Sequence, residues 1–371
     1  MSRKQGTPAR AGLLACAVAL AGLALSASAR AATWVVKGHG LGHGVGMGQY
    51  GAYGLARHGR GYRSILAHYY RHTRVGHVRD STIAVLLDSG PSSVSFKKAT
   101  RACGRSLRPR HSYAFVASGS GVTLHKAGGR KLASCGRAGT ADSTGAIRIG
   151  GEGLYRGRLR AKASGGGLLI INLVDLDAYV KGVVPNEMPA SWSRAALEAQ
   201  AVAARSYALA TAASGPFDVY DDARSQVYGG KTSEAASTTR ACRRTRGEVV
   251  KYGRRVAATY FSSSSGGQTE SVQFGFPGAD PVPYLKSVND PYDGISPEHT
   301  WKVRFSQRAI ESRLSGLFSG RLRKIRVLKR GDSPRVVLAR VVGSRDSSRI
   351  SGPGLQARLG LNSTWMRFRK R

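Results

Sequence analysis

The chain has 371 residues, with 58 Lys and Arg against 21 Asp and Glu and a formal net charge of +37. That length can bury a large core and divides into about two domains. A cationic surplus of this size first suggests a nucleic-acid partner, but the N-terminus turns that reading aside.

Arg3, Lys4 and Arg10 precede the apolar run Ala11–Leu25, and Ala27-Ser28-Ala29 forms an A-x-A site. This pattern predicts a secretory signal peptide over residues 1–29, cut after Ala29, with an uncleaved signal anchor as the alternative. No other stretch approaches the ~20 apolar residues that cross a bilayer, so no transmembrane span is expected after cleavage. The expected location is extracellular and associated with the cell wall. An exported basic protein meets anionic wall polymers rather than the chromosome. A solvated basic surface and an arginine-rich codon bias account for much of the charge. Cys16 leaves with the signal peptide. Cys103 and Cys135 can close a loop within one small β region, which leaves Cys242 odd. No Cys/His cluster has zinc spacing, so no metal and no cofactor are expected.

Residues 33–78 carry G-H-G-L-G-H-G-V-G-M-G-Q-Y-G-A, beginning at Gly38. Glycine at every second position excludes a regular helix and lets the backbone approach a neighbour closely. The missing G-K-[ST] ending excludes a Walker phosphate loop. His39 and His43 lack a third ligand, and hydrogen bonding within the loop is their alternative role. From Gly51 the pattern turns helical, with Leu55, Ile65, Leu66 and Tyr69 apolar.

Residues 80–166 alternate short β-like runs with Gly/Ser turns. The runs are Thr82–Leu87, Tyr113–Val116, Val122–Leu124 and Ala146–Ile149. They form an accessory β domain without site chemistry, and Lys97, Lys98, Arg101 and Arg105 read as a solvated basic face.

Residues 167–371 open on an apolar strand, Leu168–Leu176, and a loop with Pro185, Glu187 and Pro189. The prolines predict a stiff, non-helical bend at Glu187. A long Ala-rich helix, Ser193–Thr211, follows, capped by Ser191 or Ser193 and ended by Ser214-Gly215-Pro216. A carboxylate before a helix N-terminus is either a favourable anion or a positioned acid/base. Asp221 and Asp222 read as turn caps near the same place. Residues on either side of Tyr252–Arg255, and of Gly331–Pro334, read as hairpins. No G-x-S-x-G elbow surrounds the Ser/Gly loop at 262–267, which excludes a serine hydrolase.

The motif V-V-P-N-E-M-P-A-S-W with A-L-E-A-Q-A-V-A-A-R-S-Y-A-L resembles the core signature of the SpoIID/LytB family, the stage II sporulation protein D and amidase-enhancer proteins. The Gly-rich segment resembles the family's G-x-G-x-G-H-G-V-G-M-S-Q-W-G-A, with Gly48 for Ser and Tyr50 for Trp. In the sporulation proteins that motif follows the catalytic region, whereas here it comes first. F-S-S-S-S-G-G and P-Y-L-K-S-V-N-D-P-Y-D are also family-like. Some sporulation-branch members hold zinc through a D-V-C-D-x-x-H-C-Q-V-Y loop. Tyr220, Arg224 and Ser225 occupy those places, so the resemblance implies no metal here.

The family is associated with peptidoglycan, and three readings follow. The resemblance implies an α+β lytic transglycosylase acting on glycan strands, with Glu187 as general acid and then base. Gln200, Arg205, Tyr284, Lys286, Ser265 and His43 are its candidate substrate contacts. The second reading is a non-catalytic wall-binding protein or enhancer of a separate wall amidase. The third, nucleic-acid binding, rests on charge alone and lacks interleaved aromatics.

Overall fold

The computed structural model describes residues 33–151 and 153–371. The expected signal peptide and Cys16 lie outside the described residues. With 24% helix and 36% strand the chain is α+β. Among the described residues no helix is long and apolar enough to cross a membrane.

The strand Gly167–Asp175 lies inside a seven-stranded sheet, antiparallel to Thr82–Ser89 on one side and Arg158–Ser164 on the other. Its run of Leu, Ile and Val is buried along nearly its whole length, as a strand covered on both faces requires. A six-stranded antiparallel sheet from residues 93–156 packs into the same core. Cys103 and Cys135 form a disulfide in this β-rich part, and Cys242 is a free, buried thiol.

Asp175 ends the central strand and caps the next helix, accepting a hydrogen bond from Ala178 N–H. That helix runs Leu176–Glu187, which corrects the expected non-helical bend. Pro185 sits in the last turn, where only one internal hydrogen bond is forfeited. One residue on, the Gly182 carbonyl accepts from Asn186 Nδ2 at 2.7 Å and from Gly229 N–H at 3.1 Å. These bonds tie the last turn of the helix to its own Asn186 side chain and to the loop at Gly229. A short link leads to the Ala-rich helix Arg194–Ala210, whose N-cap is Ser193. Between Ala196 and Ala208 its alanines are wholly buried, so neighbouring elements contact nearly its whole circumference there.

The N-terminal strand Thr33–His39 is central in a three-stranded sheet, between Thr300–Ser306 and Met366–Lys370. The hairpin strands Lys324–Arg330 and Val336–Val342, with Ser347–Ser351, complete this lobe. Trp34, Val36, Trp301, Ile325, Leu355 and Met366 belong to its separate core. The Gly-rich segment leaves this lobe and enters the other. Met47–Gly48 pairs in parallel with Phe261–Ser262, and the helix Gln49–Arg57 packs on the Ala-rich helix.

Candidate active site

Glu187 is the last residue of the Leu176–Glu187 helix, and its carboxyl faces a cleft of about 420 Å³. His43, Tyr207, Tyr260, Phe276 and Arg224 stand around it. Glu187 is the one carboxylate among the described residues lining this cleft. Its Oε1 accepts from Val227 N–H at 3.1 Å, and its Oε2 from the Gln49 side-chain amide at 3.4 Å. Both donors are neutral. Burial pushes the Glu187 carboxyl above its usual range, against the lowering effect of those two bonds. Its helix position acts in the same direction as burial. The C-terminal end of a helix carries partial negative charge and disfavours a carboxylate. The opposing helix N-terminus expected from sequence begins six residues later, at Ser193.

Aromatic rings form one wall. Tyr260 meets Phe276 at 5.0 Å between centroids and Tyr207 at 5.6 Å, while His43 meets Phe276 at 5.0 Å. Such a wall presents flat apolar faces beside a few polar groups, which suits the C–H faces of a sugar ring. His43 Nδ1 accepts from Val45 N–H at 2.9 Å, which leaves the proton on Nε2. Burial, then the charge of Arg335, lower its pKa to about 4. At neutral pH His43 is therefore an uncharged hydrogen-bonding wall.

Glycine is required where this loop turns. Gly44 has φ +76°, and a Cβ there would lie 2.4 Å from the Arg335 guanidinium carbon. Gly46 has φ +73°, and its Cβ would lie 2.0 Å from the Tyr260 carbonyl oxygen.

Of the residues singled out from sequence, Glu187 and His43 share the cleft. Gln200 and Arg205 are fully buried in the Ala-rich helix. Arg205 donates to Asp177 at 2.6 and 2.9 Å and to the Glu248 carbonyl at 2.9 Å, a structural clamp. Ser265 is buried and bonds through its N–H to Asp293. Tyr284 accepts from Ala258 N–H, and Lys286 is exposed; neither lines the cleft. Gln49, Tyr207, Tyr260 and Phe276 were missed. Gln49 stood within the quoted Gly-rich motif, and only its distant docking brings it to Glu187.

At the places where zinc ligands stand in some sporulation proteins, the loop is held by its own bonds. Arg224 pairs with Asp222 at 2.8 Å and lies 3.8 Å over the Tyr220 ring. Ser225 Oγ accepts from Tyr220 N–H. Among the described residues no group of three or more His, Cys, Asp or Glu is placed to hold a metal.

Residues 164–252 match the family model for stage II sporulation protein. The chain is 39% identical over 134 residues to the amidase enhancer of Bacillus subtilis, covering 36% of this chain and 18% of that one. It is 31% identical over 208 residues to stage II sporulation protein D of Bacillus amyloliquefaciens, covering 51% and 59%. An uncharacterized protein of Brachyspira hyodysenteriae is 45% identical over 125 residues, a third of each chain. The chain thus spans less than two thirds of each of these relatives.

Proposed function

Because this chain belongs to the SpoIID/LytB family, we propose that it acts on the bacterial cell wall as a lytic transglycosylase of glycan strands. One observation carries this reading: a single carboxyl, raised by burial and held by neutral donors, faces an aromatic-walled cleft. Protonated Glu187 would donate to the glycosidic oxygen as the C1–O bond breaks and C1 gains oxocarbenium character. The resulting carboxylate would take the proton of the muramic-acid 6-hydroxyl as O6 bonds to C1. The product is a 1,6-anhydro ring, no water is consumed, and Glu187 ends as it began. One carboxyl suffices because the substrate supplies the nucleophile, unlike the paired acids of ordinary glycosidases.

A second reading is favoured by the match to an amidase enhancer: a cleft that grips glycan without cutting it. Digestion of purified sacculi and of peptide-free glycan, with mass detection of anhydro-sugar ends, separates the two. The wild-type chain should release such ends, and Glu187→Gln should lose about a hundredfold or more of that activity. Release of none by wild type on either substrate leaves the gripping role. Full activity in the variant rules out Glu187.

A further inference from the structure

The sheet formed by Thr300–Ser306, Thr33–His39 and Met366–Lys370 has a strongly cationic outer face with two charged rows, whereas the lobe's other sheet has the single row Arg326, Arg340 and Arg349. Its register puts Lys302, Lys37 and Arg367 directly opposite one another, one on each strand. Two residues along, Arg304, Val35 and Arg369 form the next row. All five cations are exposed, while Val35 is only 5% exposed between its two arginine neighbours. None of the three strands carries an Asp or Glu. Among the described residues none of the five makes an ion pair or a side-chain hydrogen bond.

Like charges directly opposite in a sheet destabilise it. An uncompensated grid of this kind is what a surface kept for a polyanion looks like. We propose that this face docks a linear polymer carrying one phosphodiester in each repeat. The strand positions that carry the cations are about 4.8 Å apart across the sheet and about 6.8 Å apart along it. A phosphodiester stays ionised at every working pH and offers two oxygens to each guanidinium fork. The rings nearest the grid, His39 and Trp365, stack on each other at 4.8 Å at its edge, and no ring lies between the cations for bases to stack on, which disfavours a single-stranded nucleic acid. The face also projects no apolar side chain to enter a bilayer, which disfavours a membrane surface. The central strand runs directly into the Gly40–Gly46 turns, whose His43 lines the cleft with Glu187, so polymer held here lies one short segment of chain from the cleft. This docking does not depend on whether Glu187 cleaves anything.

The test is binding of the full chain to poly(glycerol phosphate) across a salt series. Three triple variants are compared: Lys37→Ser/Lys302→Thr/Arg367→Thr, Arg326→Thr/Arg340→Thr/Arg349→Thr on the lobe's other sheet, and Lys97→Ser/Arg101→Thr/Arg105→Thr on neighbouring strands of the six- and seven-stranded sheets. The first should weaken binding at least about tenfold and flatten the log–log salt slope by about two, while its Tm stays equal or rises. The other two should change affinity less than about threefold, as loss of distant charge alone would do. Equal losses in all three, or a larger loss in either control, overturn the proposal, because net charge or another face would then carry the binding. Wild-type affinity higher for equimolar phosphatidylcholine/phosphatidylglycerol vesicles or for single-stranded DNA than for the polymer also overturns it. So does the absence of salt-sensitive polymer binding.

Discussion

The Gln49 side-chain amide donates to Glu187 Oε2 at 3.4 Å across 138 positions of sequence. A residue of the N-terminal Gly-rich motif therefore completes the surroundings of a carboxyl in the middle of the chain. Although the motif lies far from Glu187 along the chain, it reaches the same cleft. The parallel pairing of Met47–Gly48 with Phe261–Ser262 fixes where Gln49 arrives.

This contact gives a pH prediction. If Glu187 acts first as an acid, cleavage falls as pH rises through its raised pKa. Gln49→Ala removes a donor that favours the charged form, so the falling limb should move to higher pH. Loss of one hydrogen bond to a charged group should also lower kcat/KM about tenfold. A pH–rate profile of the variant that overlays wild type would show that Gln49 does not tune Glu187.

Arg205 should behave as a structural residue rather than a substrate contact. Its guanidinium is wholly buried and grips Asp177 and the Glu248 carbonyl. Arg205→Lys breaks that fork and should cost about 3 kcal/mol of stability. KM of the surviving folded fraction should stay unchanged. A normal Tm with a raised KM would return Arg205 to the list of glycan contacts.

Two glycines of similar backbone shape should differ sharply. Gly46→Ala meets the Tyr260 carbonyl oxygen, which is backbone and cannot swing away. Gly59 has φ +79° but open space around it, so Gly59→Ala bears only the left-handed penalty of about 1–2 kcal/mol. Denaturant melts should show a clearly larger loss for Gly46→Ala, together with loss of activity. Equal losses would mean that close approach to Tyr260 does not constrain the loop.

Asp290 makes stability depend on pH. Burial, together with the charge of Asp293, pushes its carboxyl up to about 7 despite the hydrogen bond from Tyr69. The folded chain keeps this proton to about pH 7, whereas the unfolded chain releases it near 3.8. Stability from this group is therefore present below the unfolded value and is lost as pH rises through the folded one. Asp290→Asn should flatten that fall and make the protein more stable than wild type at alkaline pH. Thermal melts from acid to alkaline pH with identical slopes for both proteins would refute this.

Much of the local structure was legible in the residues. The apolar run 168–176, the Ser cap and Ala-rich helix, and both hairpins follow from period, caps and turn residues acting over a few positions. The Cys103–Cys135 loop was among the pairings that spacing allowed, and it forms. The two prolines suggest a bend at Glu187, yet the helix continues through Pro185 to its end, because a proline in the last turn forfeits a single bond there.

The sequence by itself determined the mixed architecture, the ends of the Ala-rich helix and of several strands to within a few residues, and one acidic side chain worth watching, because each is governed by neighbours along the chain. Tertiary structure alone decided which face of each element meets which partner. It buried Gln200, Arg205 and Ser265, brought Gln49, Tyr207, Tyr260 and Phe276 around Glu187, and aligned Lys302, Lys37 and Arg367 on one sheet. Those pairings join positions far apart in sequence, where strand register and helix docking rather than local preference set the distances.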